Sequence, residues 1–111
     1  MPHPNKAKGD RAERAVLAIL QHYDPTARRT RPGRREDEGD IHALNLTWQV
    51  KDVAQPRWRD WLTQLHQQTE SSPYQHGVLV WKLRGYGGKP AQWLAVIELD
   101  HLAELLGQVE R

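Results

Sequence analysis

The chain has 111 residues, 38% hydrophobic and 27% charged, enough for one domain around one core and too few for two. It holds no cysteine, which excludes disulfides and thiolate metal sites, and no apolar run near the ~20 residues of a membrane span. The net charge of +2 is unevenly spread: residues 1–35 carry nine Lys and Arg against three Asp and Glu, and residues 36–111 carry seven against eleven. Arginine outnumbers lysine eleven to five. Arg grips phosphate in a fixed geometry, so the asymmetry points to a polyanionic partner, against the plainer reading of a solvated basic surface.

Residues 1–6 read as a flexible lead-in without the apolar stretch of a secretory signal, and a reducing cytosol is the expected setting. A helix is expected from about Lys6 to His22. Ala12, Ala15, Val16, Ile19, Leu20 and Tyr23 recur at the spacing of one buried face, and Asp24-Pro25 ends it. A short strand near Ala27–Arg31 and a charged loop with a Pro32-Gly33 turn follow. Over residues 40–53, Ile41, Ala43, Leu46, Trp48 and Val50 alternate with Asp40, His42, Thr47, Gln49 and Lys51. That pattern predicts a β-hairpin turning near Leu44-Asn45, with a bulge or three-residue loop needed to keep the alternation on both arms.

A second helix is expected over Pro56–Glu70, with Trp58, Trp61, Leu62, Leu65 and Thr69 inward. His76–Leu83 contains the continuous apolar run Val78-Leu79-Val80-Trp81 of a central strand. Gly85–Gly88 reads as a hairpin connection, Gln92–Leu99 as another strand, and Asp100 as the cap of a last helix stopping at Gly107. All five tryptophans fall at apolar-periodic positions and read as core. The order αβββαββα describes an α/β domain with a mixed sheet flanked by helices.

The hairpin concentrates chemistry. A tight turn at residues 44–45 sets Asp40 across from Gln49, and Lys51 leaves the same face two residues later. Carboxylate and amide oxygens are hard ligands suited to Mg²⁺ or Mn²⁺, and a lysine beside such an ion can orient water and stabilise a phosphoryl group gaining charge. Glu13 borders the buried stripe of the first helix and can reach the sheet. Any one of these residues alone would be an ordinary solvated side chain; the combination is rarer.

Gly39-Asp40-Ile41 followed by Trp48-Gln49-Val50-Lys51 resembles the PD-(D/E)XK nuclease signature. Lys8-Gly9 with Glu13-Arg14 resembles the opening helix of archaeal-type Holliday-junction resolvases, and the likeness covers residues 6–83. It implies a restriction-endonuclease-like fold and a metal-dependent endodeoxyribonuclease leaving 5′-phosphate and 3′-hydroxyl ends. Branched DNA such as a four-way junction is the implied substrate. The implied catalytic residues are Glu13, Asp40, Gln49 and Lys51, with Mg²⁺ or Mn²⁺ on Glu13, Asp40, Gln49 and the backbone carbonyl of Val50. Gly39 replaces the family's proline. Gln49 replaces its acidic residue, as in Q-x-K branches such as the Mrr-type restriction nucleases, and removes one negative charge. A homodimer is the simple way to make two symmetric cuts.

Lys8, Arg11, Arg28, Arg29, Arg31, Arg34 and Arg35 are the expected DNA contacts, with Arg84 and Lys89 as further candidates. Glu36-Asp37-Glu38 can partly neutralise the loop, and Asp37 is a weaker candidate for the role of Asp40. The histidines show no paired ligand spacing, and Gly85–Lys89 lacks the spacing of a phosphate-binding P-loop. The alternatives are a nuclease-fold protein that binds DNA without cutting it, a nicking or restriction-type endonuclease, and a structural protein with a fortuitous motif. A bacterial or phage-infected cell is the expected source.

Overall fold

A computed structural model describes residues 4–30, 40–72, 74 and 76–109. The loop expectations for Arg31, Pro32-Gly33, Arg34, Arg35, Glu36, Asp37, Glu38 and Gly39 lie outside the described residues. The elements are α1 (Pro4–Tyr23), β1 (Arg28–Arg29), β2 (Ile41–Ala43), β3 (Leu46–Lys51), α2 (Trp58–Ser71), β4 (Gly77–Leu83), β5 (Gln92–Val96) and α3 (Leu99–Val109). The strands form one mixed sheet in the order β1-β2-β3-β4-β5, with β3 and β4 parallel and the other pairs antiparallel. The single parallel pair needs a crossover, and α2 supplies it.

Register decides what each face of the sheet carries. Trp48 lies beside Val78, and Val80 beside Ala95, so these residues share one face. Val16 and Leu20 of α1 pack there with Ile41, Ala43 and Val80, joined by Leu17, Trp48, Val50 and Trp93. Each Val, Leu or Ile so buried contributes about 1.5–3 kcal/mol. The opposite face carries Thr47, Gln49, Lys51, Leu79 and Trp81, and Trp61 and Leu65 of α2 cover it. Gly77 lets α2 come close: a Cβ there would stand 2.6 Å from a methyl of Leu65. The two helices therefore sandwich the sheet.

Several boundaries differ from expectation. The first helix begins at Pro4, inside the expected lead-in, because proline suits a first turn whose N–H groups lack partners anyway. Ala15, Ile19 (46% exposed) and Tyr23 (71%) lie outside its buried stripe, which is the narrower row Ala12, Val16 and Leu20. The hairpin needs no extra residue. With a two-residue turn, Ala43 pairs with Leu46 and Ile41 with Trp48, so odd positions on β2 share a face with even positions on β3. Leu44 (φ 54°) and Asn45 (φ 60°) both adopt the left-handed conformation that a type I′ turn requires.

Of the tryptophans, only Trp61 is fully buried, and Trp58, 36% exposed, rests edge-on against Trp61 and Trp81. β5 ends at Val96, opposite Leu79 of β4, and α3 starts at Leu99, where a strand to Leu99 was expected. The first-turn bond of α3 runs from Leu102 N–H to Glu98 C=O, so Asp100 lies inside the helix rather than capping it. Gly107 does not stop α3, which continues to Val109. No helix is long and apolar enough to cross a membrane, among the described residues.

Candidate active site

β3 delivers the central side chains. Gln49 and Lys51 are two residues apart and project from the α2 face. Gln64, on the first half of α2, receives both: Gln49 Nε2 donates to its Oε1 (3.4 Å), and Lys51 Nζ donates to the same oxygen (3.2 Å). Lys51 also sits over the Trp61 ring, 5.6 Å from its centre. The ammonium is thus held from two sides while its strand is held by β4. Gln49 is only 3% exposed, and its Oε1 has no hydrogen-bond partner among the described residues. A buried amide oxygen left unpaired costs about 1–3 kcal/mol unless something binds it.

Asp40 stands one residue before the Ile41–Trp48 pair, where β2 begins. Its N–H donates to Trp48 C=O (3.0 Å) and its C=O accepts from Thr30 N–H (3.1 Å), so its backbone is clamped between β1 and β3. Its carboxylate accepts the Val50 N–H at 2.7 Å, taking the place that a carbonyl of a longer β2 would fill. The Val50 carbonyl points to the same side as its N–H, beyond the first residue of β2. Burial pushes the Asp40 carboxyl up to about 6; the Val50 hydrogen bond opposes this, Glu13 adds to it, and Lys51 and Arg29 oppose it. Asp40 therefore senses charges from both sides of the sheet: Glu13 from α1, and Lys51 from the α2 face.

Glu13 is tied to β1. Arg29 Nε and Nη2 donate to Glu13 Oε1 at 3.3 and 3.0 Å, and Nη2 also meets Asp10 at 2.8 Å. Burial opposes the Arg29 charge, but the hydrogen bonds and charges of Asp10 and Glu13 outweigh it and raise its pKa. Arg29 is thus committed to two carboxylates of α1, while Arg11 and Arg28 are exposed and Lys8 is half-buried. His42 is buried and packs edge-on against Tyr74.

The structure thus gathers Asp40, Gln49, Val50 and Lys51 around the start of β2, with Glu13 close enough to act on Asp40 electrostatically. Among the described residues no group of three or more His, Asp or Glu is placed to hold a metal ion. The donors present are two carboxylates, one unpartnered amide oxygen and one backbone carbonyl, a hard-oxygen set whose chemistry suits Mg²⁺ or Mn²⁺. Sequence reasoning missed Gln64, Asp10 and the Arg29 bridge. Gln64 lies between Trp61 and Leu65 on α2, and that placement was the available signal; an exposed glutamine on a polar helix otherwise stands out in no way. No family model, curated protein or solved structure matches the chain.

Proposed function

We propose that the chain is a divalent-metal-dependent endodeoxyribonuclease of the PD-(D/E)XK kind, acting on branched DNA. The observation that carries this reading is one cluster: a buried carboxylate (Asp40), an unpartnered buried amide oxygen (Gln49) and an ammonium steadied by Gln64 and Trp61 (Lys51). They meet at the carboxyl end of the parallel strands, where open α/β sheets bind ligands. Asp40, Gln49, the Val50 carbonyl and Glu13 would hold Mg²⁺ or Mn²⁺. Such an ion, when bound, activates water and polarises the phosphate.

The chain's own residues do the rest. Asp40, above its pKa, supplies charge at the mouth of the site. Gln64 keeps the Lys51 ammonium from swinging into solvent. Lys51 stabilises the phosphate as negative charge builds on it and orients the attacking water. The water oxygen bonds to phosphorus and releases one proton to solvent, the bond to the 3′ oxygen breaks, and that oxygen takes up a proton from solvent, leaving 5′-phosphate and 3′-hydroxyl ends. Two symmetric cuts in a four-way junction call for a two-fold dimer.

A second reading, DNA binding without cleavage, is favoured by the Arg29 grip on Glu13 and by the neutral Gln49. A cleavage assay on linear, flapped and four-way DNA, with Mg²⁺ or Mn²⁺, separates the two. The nuclease cuts, and Lys51→Ala lowers its rate about 10²–10³-fold while DNA binding and folding persist. A wild-type protein that binds all three DNAs and cuts none is the binding protein instead. Normal cutting by Lys51→Ala removes Lys51 from the site.

A further inference from the structure

The connection between β4 and β5 is more ordered than a plain loop. Tyr86 and Lys89 exchange both backbone hydrogen bonds, Tyr86 N–H to Lys89 C=O (3.2 Å) and Lys89 N–H to Tyr86 C=O (3.0 Å). Gly87 (φ 57°) and Gly88 (φ 79°) make the two-residue turn between them, in a conformation that glycine adopts without strain. Gly85 permits the close return of the chain, since a Cβ there would lie 2.5 Å from the Lys89 carbonyl oxygen. This small second hairpin holds out Tyr86, which is 89% exposed. Beneath it lies an open cleft of about 370 Å³, lined among others by Leu83, Arg84, Tyr86, Lys89 and Pro90.

Its position gives the tip a use. β4 runs parallel to β3 with Trp81 beside Lys51, so the tip continues from the same end of the sheet as the candidate active site. Tyr86 is five residues past that row, on the order of 15 Å along the strand direction. Arg84 Nη2 meets Asp52, the residue after Lys51, at 3.2 Å, which ties the base of the hairpin to the end of β3. Lys89 makes no ion pair among the described residues. An aromatic ring in water, flanked by two cations over a shallow apolar cleft, complements a nucleotide: a flat base for the ring and a phosphate for the cations.

We infer that the β4–β5 tip is a nucleotide subsite, in which an unpaired base stacks on Tyr86 while its phosphate lies against Arg84 and Lys89. It rests on the nucleic-acid reading of this end of the sheet but needs no cleavage and no metal. An unpaired base is specified because a stacked base pair offers no free face to a ring, whereas single strands and branch points do.

The test is fluorescence anisotropy with a labelled single-stranded oligonucleotide and the duplex of the same sequence, in EDTA. Tyr86→Ala loses about tenfold in affinity for the single strand and less than twofold for the duplex, and Tyr86→Phe binds like wild type. Arg84→Ala with Lys89→Ala weakens both and flattens the salt dependence. Circular dichroism of each variant matches wild type, because the ring fills no core space. Single-strand affinity unchanged in Tyr86→Ala, or lost equally in Tyr86→Phe, overturns the subsite, as does failure of wild type to bind the single strand. The cleavage assay decides the nuclease separately: Tyr86-dependent binding without cutting leaves the subsite standing and removes the nuclease.

Discussion

Asp40 shows the folding cost of burying a carboxylate at the candidate site. Its neutral form is favoured by burial, and its pKa is raised to about 6 against an ordinary 3.8. The folded protein therefore holds this proton more tightly than the unfolded chain. The resulting stabilisation is complete below pH ~4 and disappears as pH rises through 6. Asp40→Asn keeps an oxygen to accept the Val50 N–H and removes the charge. Urea unfolding without metal will show the variant more stable than wild type at pH 7.5, by about 1–3 kcal/mol, with the difference vanishing near pH 4. A constant difference across that range would mean that the Asp40 charge is not what burial opposes. Of the candidate site residues, the shared face of Asp40, Gln49 and Lys51 was legible from alternation and spacing. The Arg29 hold on Glu13 was not, because it joins residues sixteen positions apart through the packing of β1 on α1.

Among the elements, the β2–β3 hairpin is the one on which the site depends, since its register sets Asp40 beside β3. The turn that fixes that register carries a strain. Leu44 is a bulky residue at φ 54°, a conformation that costs an L-residue about 1–2 kcal/mol, and its side chain is 45% exposed, so it recovers little by burial. Its N–H donates to Asp24 at 2.7 Å, and that bond, with further ones from Thr26, holds the Asp24 carboxyl below the usual carboxylate range. Leu44→Asn keeps the backbone bond and tolerates the turn. Thermal unfolding should show it stabilised by about 1 kcal/mol; a lower melting temperature would show that Leu44 packing outweighs the strain. The hairpin was visible in the sequence, but its turn type was not, because alternation across a two-residue turn needs no bulge. α3 was misplaced at both ends, since neither Asp100 nor Gly107 acts as the terminus its residue type favours.

Among the described residues, cations gather toward one end of the strand direction, where Asp52 and Asp60 also lie. Lys51, Lys82, Arg84 and Lys89 lie at or beyond the carboxyl end of β3 and β4, and Arg57 and Arg59 sit near the start of the crossover helix that follows β3. Glu70 at the far end of α2, and Asp100 and Glu104 of α3, belong to the opposite end. On the proposed function, this polarity would steer a polyanion toward the end that carries Asp40 and Lys51. Arg11→Ala with Arg57→Ala should weaken DNA binding and reduce the slope of log affinity against log salt by about 0.9 for each phosphate no longer neutralised. Glu70→Gln with Asp100→Asn should leave the slope unchanged. Equal effects from both pairs, measured across a salt series, would show that binding follows net charge alone and not this polarity.

The sequence by itself determined the α/β class, the two helices that sandwich the sheet, the hairpin and the polar row Asp40, Gln49, Lys51, because local periodicity records which side of an element is buried. Only the tertiary structure decided who meets whom across elements. Gln64 reaches Gln49 and Lys51 because α2 crosses over β3 and β4 at the close approach that Gly77 allows. Arg29 closes on Asp10 and Glu13 because β1 joins the sheet edge beside α1. The Asp40 carboxyl is pushed up because packing buries it, and the backbone amide of Val50, whose N–H it accepts where β2 begins only at Ile41, offsets only part of that cost. These outcomes depend on distances between segments far apart in the chain, and periodicity within one segment carries no record of them.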